Sequence, residues 1–319
     1  MRVERADLEA RLTELARDIP DPRAGLFGPG SSIWRVNRHA VIFAGAGRAA
    51  LLQLAHPWVA RAIEEHSAVA RDPLGRFRRT FVRVFAMLYG DLDAASSAAR
   101  AVHAVHAGIR GRLEEASAAF AAGSPYDALD VDALRWVHAT LCETSVLIHE
   151  RYVRPLSARE KEAYYGESRR FAALFGIPAE ALPASWPEFE AYGRAMAASP
   201  VLCVSAAARR LGRGLFRPRP RALRPLFAAY EQFSAQLLPE SVRRGYGFGE
   251  PSWRARLAIA LVSGAFHAQE RGPRSLRYLP PYLAAQRRLG GARRLPALSR
   301  ALDRAVFGTR RSPASPAVR

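Results

Sequence analysis

Eight histidines are the side chains of this sequence best suited to bind a metal or to move a proton near neutral pH. They are His39, His56, His66, His103, His106, His138, His149 and His267. A single histidine on a helix is more often a surface or hydrogen-bonded core residue than a ligand, so spacing must separate the candidates. His103 and His106 lie three residues apart in a segment of alanine and glycine, which leaves space around an imidazole. This pair is therefore the first candidate site.

The preceding predicted helix carries cations and a hydroxyl with matching spacing. Arg76 and Thr80 are four residues apart and share a helix face, and Arg79 follows Arg76 by three residues on the same side. A hairpin of these two helices could hold a haem by one axial imidazole, with arginine and threonine beside it. A tightly packed helix pair, with histidines that hydrogen-bond in the core, explains the same spacing and remains an alternative.

Other sites known in helical and α/β enzymes are excluded by missing motifs. The sequence has no Glu-x-x-His, His-Glu-x-x-His or Gly-x-Ser-x-Gly motif, which excludes di-iron carboxylate, zincin and serine hydrolase sites. The cysteines, Cys142 and Cys203, lack the spacing of a thiolate metal site.

One motif suggests a dinucleotide site. Residues 45–50 read Gly-x-Gly-x-x-Ala after an apolar run, and Glu64 follows at a suitable distance. That fingerprint requires a strand before it and alternating strands and helices after it, and this alternation is missing. The segment instead predicts a helix bend at which small residues let another helix approach.

The charge of the chain points to anionic partners. The formal net charge is +19 over 319 residues, and Lys161 is the single lysine, so arginine carries almost all of the positive charge. No zinc finger, RNA-recognition motif or basic zipper is present, so we predict no specific nucleic acid partner. Peripheral contact with an anionic membrane remains possible. The N-terminus is charged and no apolar run reaches the roughly 18 residues of a spanning helix, which predicts a cytoplasmic protein.

Apolar residues recur every three or four positions along most of the chain, which predicts an all-α fold. The predicted helices cover residues 5–17, 32–54 with a break near Gly45 and Gly47, 57–66, 73–89, 92–111, 130–153, 158–175, 186–197, 200–211, 222–236, 252–268 and 295–306. We predict an N-terminal helix in 1–24, a single helical domain in 25–308 and a disordered basic tail in 309–319. The Arg- and Pro-rich segment 212–225 is the one plausible linker, although a surface loop explains it better.

Eight segments, in the same order, resemble the family of the rubber oxygenases and the ER-bound oxygenases of the MpaB type. They are GPGSS at 28–32, LLQLAHP at 51–57, EEHS at 64–67, DPLGRFRRTF at 72–81, HAGIRG at 106–111, YDALDVDALRWVHATL at 126–141, YVRPLSAREKEAYYGE at 152–167 and LLPESVRRGYGF at 237–248. The resemblance implies a globin-like multi-helix domain that encloses a haem b pocket. It also implies cleavage, with O₂, of a carbon–carbon double bond in an isoprenoid chain.

The resemblance assigns roles to residues. The histidine that heads the HAGIRG segment, His106, matches the iron ligand of the family, and Arg76 and Thr80 match an Arg-x-x-x-Thr motif near the haem. One turn before the ligand the rubber oxygenases have an arginine where this chain has His103, which changes the charge beside the cofactor and bears on the substrate. Rubber oxygenases are secreted and this chain shows no signal, so we expect a substrate other than an extracellular polymer.

Two further residues complete the candidate site. Cleavage by oxygen insertion would benefit from a carboxylate that accepts a proton, and Glu65 lies close in sequence to the same region, as does Glu64. His138 could face the pocket or make a structural hydrogen bond. We therefore predict a haem b-dependent oxygenase that uses O₂ on a hydrophobic, isoprenoid-like small molecule. The alternatives are a haem protein with a peroxidase-like or sensing role, and a basic helical protein that binds membrane or nucleic acid.

Overall fold

The fold was obtained as a computed structural model. It describes residues 1–66 and 73–290, with the backbone alone for 73–77. The predicted helix 295–306 and the predicted tail 309–319 lie outside the described residues. The domain boundaries at residues 24 and 308 stay predictions.

The described chain is almost entirely helical, which confirms the all-α prediction. In chain order the helices are α1 Arg5–Arg17, α2 Ser32–Asn37, α3 Ala46–Leu54, α4 Pro57–His66, α5 Pro73–Tyr89, α6 Leu92–Ala107, α7 Val131–Tyr152, α8 Ala158–Ala173, α9 Trp186–Ala198, α10 Ala206–Leu215, α11 Arg224–Gln236, α12 Glu240–Gly245, α13 Trp253–Arg271, α14 Arg274–Arg277 and α15 Pro280–Gly290. Two short strands, β1 Arg110–Arg112 and β2 Pro125–Asp127, pair antiparallel and place Gly111 opposite Tyr126.

The structure corrects several predicted boundaries. The predicted helix 92–111 ends at Ala107, because Gly108 caps it and the chain then pairs as β1. The predicted helix 32–54 divides into α2, a 3₁₀ turn at Ala40–Gly45 and α3. Helices α12, α14 and α15 were not predicted. Helices α12 and α14, of six and four residues, carry too few apolar repeats to show a period.

Local signals in the sequence explain where helices begin and end. At α8 the Ser157 side chain accepts from the backbone N–H of Glu160, and the Glu160 carboxylate accepts from the N–H of Ser157. This reciprocal pair satisfies two N–H groups that the helix itself leaves without partners. Gly176, with φ of 78°, follows the end of α8 in the left-handed region that glycine adopts without strain.

Helix α7 is the centre of the core. Trp136 is 2% exposed, and its indole N–H donates to the Leu52 carbonyl at 3.0 Å. The 3₁₀ turn before α3 packs beside α7 through glycine: a Cβ at Gly45 would stand 2.3 Å from Thr144 Cγ2. A Cβ at Gly47 would stand 2.3 Å from Ser234 Oγ. The glycines of the Gly-x-Gly-x-x-Ala segment thus serve helix packing, as predicted, and the strand that a dinucleotide site requires is replaced by a 3₁₀ turn.

The Arg- and Pro-rich segment 212–225 begins inside α10, which continues to Leu215. Gly212 is buried, and a Cβ there would stand 3.0 Å from the Tyr246 ring and 3.1 Å from Leu51. This part of the segment is therefore packed against the rest of the protein. In the described part of the chain, no helix combines the length and the apolar character needed to cross a bilayer.

Candidate functional site

Helices α5 and α6 form an antiparallel hairpin that brings the predicted site residues to one end. The two helices are joined at Gly90 and Asp91, and the Asp91 side chain accepts from the N–H of Ala94 at 2.8 Å, which caps α6. A Cβ at Gly90 would stand 2.3 Å from the Ala86 carbonyl oxygen, so the connection requires glycine. Opposite this closed end lies the open end, where α5 begins and α6 finishes.

The closed end of the hairpin is sealed in the core. Phe85, Met87 and Tyr89 are all at most 6% exposed. The Tyr89 ring packs edge-on against Trp34 with 5.3 Å between centroids. This packing fixes the closed end of the hairpin in the domain.

Helix geometry gives the distance of each candidate residue from Gly90 along the axis of the hairpin. At a rise of 1.5 Å per residue, Arg76 lies about 21 Å, Thr80 about 15 Å and His106 about 24 Å from Gly90 along the hairpin. Arg76 therefore lies close to the level of His106, with Thr80 roughly one to two turns lower. The backbone of Arg76 lies in α5, and its side chain lies outside the described residues. Thr80 and Arg79 are exposed.

His106 occupies the last turn of α6. Its side chain is half-buried, and its backbone carbonyl accepts from the N–H of Ile109 at 2.9 Å. Neighbouring Val105 is 46% exposed, so a large apolar side chain lies uncovered beside the imidazole. A histidine at this place can reach a ligand without opening the core.

His103, one turn earlier, is directed to the N-terminal segment. Its Nε2 lies 3.3 Å from the carbonyl oxygen of Val3. Three residues before it on α6, Arg100 makes a bidentate pair with Glu9 of α1. This side of α6 therefore contacts the chain terminus and α1, and His103 already has a hydrogen-bond partner there.

A carboxylate cluster lies at the end of α4 beside the β1–β2 hairpin. The Tyr126 hydroxyl donates to Glu65 Oε2 at 2.6 Å, and its oxygen lies 3.0 Å from His66 Nε2. Arg61 Nε lies 3.3 Å from Glu65 Oε2. The hydrogen bond from Tyr126 is the largest of the effects that lower the Glu65 pKa, and burial is the main cause of the raised pKa of Tyr126.

Register links this cluster to His106. Gly111 lies five residues after His106 and pairs with Tyr126, and a Cβ at Gly111 would stand 2.6 Å from the Tyr126 hydroxyl oxygen. Tyr126 was not singled out from the sequence, although it begins one of the eight family-like segments. Its hydroxyl became a candidate only when strand pairing placed it against Glu65.

The other predicted residues have different surroundings. Glu64, the alternative carboxylate, lies 2.7 Å from Arg210 NH2 of α10 and 3.4 Å from Arg61 NH1, so it is already ion-paired. His138 is 4% exposed in the middle of α7, and its Nε2 lies 2.9 Å from both the carbonyl and the hydroxyl oxygen of Ser168. Burial lowers the His138 pKa to about 4. These contacts favour the structural hydrogen bond over a place in the pocket.

The donor set at the open end fits a haem. Such a cofactor needs one imidazole, cations or hydroxyls for its propionates, and an apolar surface for its ring. His106, Arg79 with Thr80, and Val105 are of these types. The described residues contain no group of three or more His, Cys, Asp or Glu that could hold a metal ion, but a single axial imidazole requires no such group.

Two cavities lie away from this end. One is lined by residues of α2, α7 and α8 and of the segments that follow α2 and α7, among them His39, His149 and Arg154. The other lies between α1 and α6 near Leu12 and Arg100. Neither lining includes His106 or Thr80. The candidate site is therefore separate from both of these cavities.

Fold and site together define an all-helical protein with one half-exposed imidazole and several cations at the end of a helix hairpin. The model of the ER-bound oxygenase mpaB/B'/rubber oxygenase catalytic domain matches residues 34–268, and the chain belongs to that family. No curated protein and no solved structure gives a match. Membership supports, at a coarse level, an oxidoreductase of the oxygenase class that acts with O₂ on a small molecule.

Proposed function

We propose that this protein is a haem b-dependent oxygenase that acts on a hydrophobic, unsaturated, isoprenoid-like small molecule. Family membership supports the oxygenase class. The observation that carries the haem proposal is the half-buried His106 in the last turn of α6, close to the level of Arg76 on α5. When bound, the haem would supply the O₂ binding and the redox chemistry that no amino-acid side chain provides.

In this proposal His106 would hold the haem iron through its imidazole. An imidazole binds iron in its neutral form, and an acceptor for its other ring nitrogen orients it. His103, three residues earlier on α6, lies 3.3 Å from the Val3 carbonyl oxygen, so His106 rather than His103 would hold the iron. Helix α5, which faces α6, contains neither histidine nor cysteine, so it would offer the iron no second imidazole or thiolate.

The cations and the hydroxyl of α5 have the binding role. Arg76 and Arg79 would hold the propionates, because a guanidinium forms bidentate hydrogen bonds with a carboxylate. Thr80 would orient groups beside the ring through its hydroxyl. The high net positive charge of the chain favours a dianionic cofactor in the same way.

Glu65 has the proton-accepting role. Its Oε2 accepts a hydrogen bond from the Tyr126 hydroxyl at 2.6 Å and lies 3.3 Å from Arg61 Nε, so the carboxylate is ionised and oriented before substrate binds. A carboxylate held in this form can accept an allylic proton from an alkene. Its side chain is 38% exposed, so a substrate can reach it without rearrangement of the core.

Haem binding by matched histidine variants tests the proposal. The apoprotein is titrated with haem b and the Soret absorbance is recorded for wild type, His106→Ala and His103→Ala. We expect wild type and His103→Ala to bind about one haem per chain, and His106→Ala to lose at least about tenfold in affinity. Equal haem affinity in the two variants would contradict the assignment of His106.

O₂ uptake separates an oxygenase from a haem protein with a peroxidase-like or sensing role. The haem-loaded protein is reduced and offered an isoprenoid alkene in an oxygen electrode. We expect O₂ consumption that depends on the alkene and stops when it is exhausted. A haem-loaded protein that oxidises a dye with peroxide but consumes no O₂ with any alkene would favour the rival.

A further inference from the structure

Helix α13 is apolar on both of its faces. Its inner face packs on the core through Ile259, Val262 and Phe266, and the Phe266 ring lies 5.5 Å from that of Phe233. Its outer face carries Trp253, Leu257 and Leu261, which are 70%, 55% and 68% exposed. Residues four apart on a helix lie above one another, so these three form one stripe on the surface.

The rest of the outer face is small or basic. Ala260, Gly264, Ala265 and Ala268 are exposed between and beyond the large side chains. Arg254, Arg256 and Arg271 are also exposed, and the Arg254 guanidinium lies 5.3 Å from the centre of the Trp253 ring. Large apolar side chains on a surface are normal when scattered, but an ordered stripe flanked by arginine indicates a binding face.

Within the described residues, the carboxylates on α13 and just before it do not neutralise this face. Glu270 is the one acidic residue of α13. Its side chain is turned inward, and its Oε1 lies 2.7 Å from His39 Nδ1. Glu250, just before the helix, lies 2.9 Å from Arg243. Exposed arginines on the elements next to α13 add further positive charge. They are Arg274 of α14, Arg224 at the start of α11 and Arg221 just before that helix.

We propose that the outer face of α13, defined by Trp253, Leu257 and Leu261 with the flanking arginines, docks on the surface of an anionic lipid bilayer. Tryptophan and leucine favour the boundary between headgroups and acyl chains, and arginines near it bind anionic headgroups. A second copy of the chain would bring a like set of arginines and a net charge of +19 against this face. Charge complementarity therefore selects the lipid surface, and this proposal stands whether or not the protein binds haem.

Vesicle binding tests the proposal with a built-in probe. Purified full-length protein is mixed with vesicles of phosphatidylcholine alone or of equal parts phosphatidylcholine and phosphatidylglycerol, then sedimented, and tryptophan emission is recorded. Trp34, Trp136 and Trp186 are at most 7% exposed and Trp58 is half-buried, so the strongly exposed Trp253 is expected to dominate any blue shift. We expect binding to the anionic vesicles, weakened at high salt because charges are then screened within a few ångströms.

Substitutions separate the apolar from the basic contribution. Leu257→Ser with Leu261→Ser should reduce the affinity for anionic vesicles by at least about tenfold, because each leucine would lose its apolar burial. Arg254→Gln should reduce it about fivefold. Arg159→Gln removes one exposed arginine from a different helix, α8, and should leave affinity unchanged.

Three results would overturn the proposal. The first is vesicle binding by the double leucine variant equal to that of wild type. The second is an equal loss in Arg254→Gln and Arg159→Gln, which would show attraction by net charge alone. The third is a dimer in analytical ultracentrifugation that the leucine substitutions abolish, with no vesicle binding, which would make the face a contact between two copies.

Discussion

The core around α7 and the open end of the α5–α6 hairpin use the same kinds of side chain in different ways. In the core, Arg48 is 3% exposed, donates from Nε to the Leu237 carbonyl at 2.8 Å and lies 3.0 Å from Glu143, while His138 is hydrogen-bonded to Ser168. At the open end, Arg79 and Thr80 are exposed and His106 is half-buried. Arginine and histidine therefore stabilise the fold in one region and are accessible to a ligand in the other, which residue type alone does not reveal.

The largest expected effect comes from exchanging one arginine in each region. Arg48→Met leaves the buried Thr144 hydroxyl and Leu237 carbonyl without their partner, so we expect the free energy of unfolding to fall by about 3–5 kcal/mol. Haem bound per folded molecule should not change. Arg79→Met should weaken haem binding but change the free energy of unfolding by no more than about 0.5–1 kcal/mol. Urea unfolding and haem titration measure both quantities, and similar behaviour of the two variants would remove the contrast between the regions.

The second expected effect is the pH dependence of stability that comes from the buried His138. Burial lowers the pKa of His138 from 6.5 to about 4, so the unfolded chain binds this proton first as the pH falls. Stability is complete above pH 6.5 and is lost toward pH 4, by up to about 3 kcal/mol for such a group. In His138→Gln, the free energy of unfolding should depend less steeply on pH over this window, by the equivalent of about one bound proton. If His138→Gln instead abolished haem binding, the core region would contain the ligand and the comparison would fail.

The smallest expected effect sharpens the role of the Tyr126–Glu65 pair. Tyr126→Phe removes the hydrogen bond that contributes most to the lowered Glu65 pKa, so that pKa rises. If Glu65 accepts the proton, the acid limb of the rate profile should move to higher pH, while stability falls by only about 1 kcal/mol. Tyr246→Phe removes a hydroxyl that donates to the Leu51 carbonyl at 2.8 Å and serves as the control. It should cost similar stability and leave the pH profile in place.

The sequence predicted what depends on local pattern. Apolar periodicity and the Ser157 and Gly176 signals gave the long helices, and the glycines at 45 and 47 were correctly interpreted as a packing bend. The end of α6 was placed four residues too late, because strand pairing with β2 is a contact across the chain that periodicity near residue 110 does not encode. Helix α15 was missed although Tyr282 packs on Trp34, since its role comes from a contact distant in sequence.

The candidate site shows the same limit. Spacing paired His103 with His106 on one helix and Arg76 with Thr80 on the other, and the family resemblance then selected His106. Tyr126 and its bond to Glu65 depend on strand register instead. The role of His138 could not be decided from the sequence, because the sequence does not show whether a histidine is buried or exposed. The contact with Ser168 favours a structural hydrogen bond. The Arg76 side chain lies outside the described residues, so its place at the site stays a prediction.

The pairing of Gly111 with Tyr126 also has a kinetic consequence. No side chain fits between strand β1 and the Tyr126 hydroxyl, and this hydroxyl donates to Glu65 at the end of α4. Strand β1, which follows His106, is therefore coupled to Glu65 through Tyr126. A displacement of one should carry the other with it, so the two ends of the site would open together. Hydrogen exchange at the backbone amide of Leu113, which donates to the Ser124 carbonyl at 2.9 Å, would report the rate of that opening from a position outside the site itself.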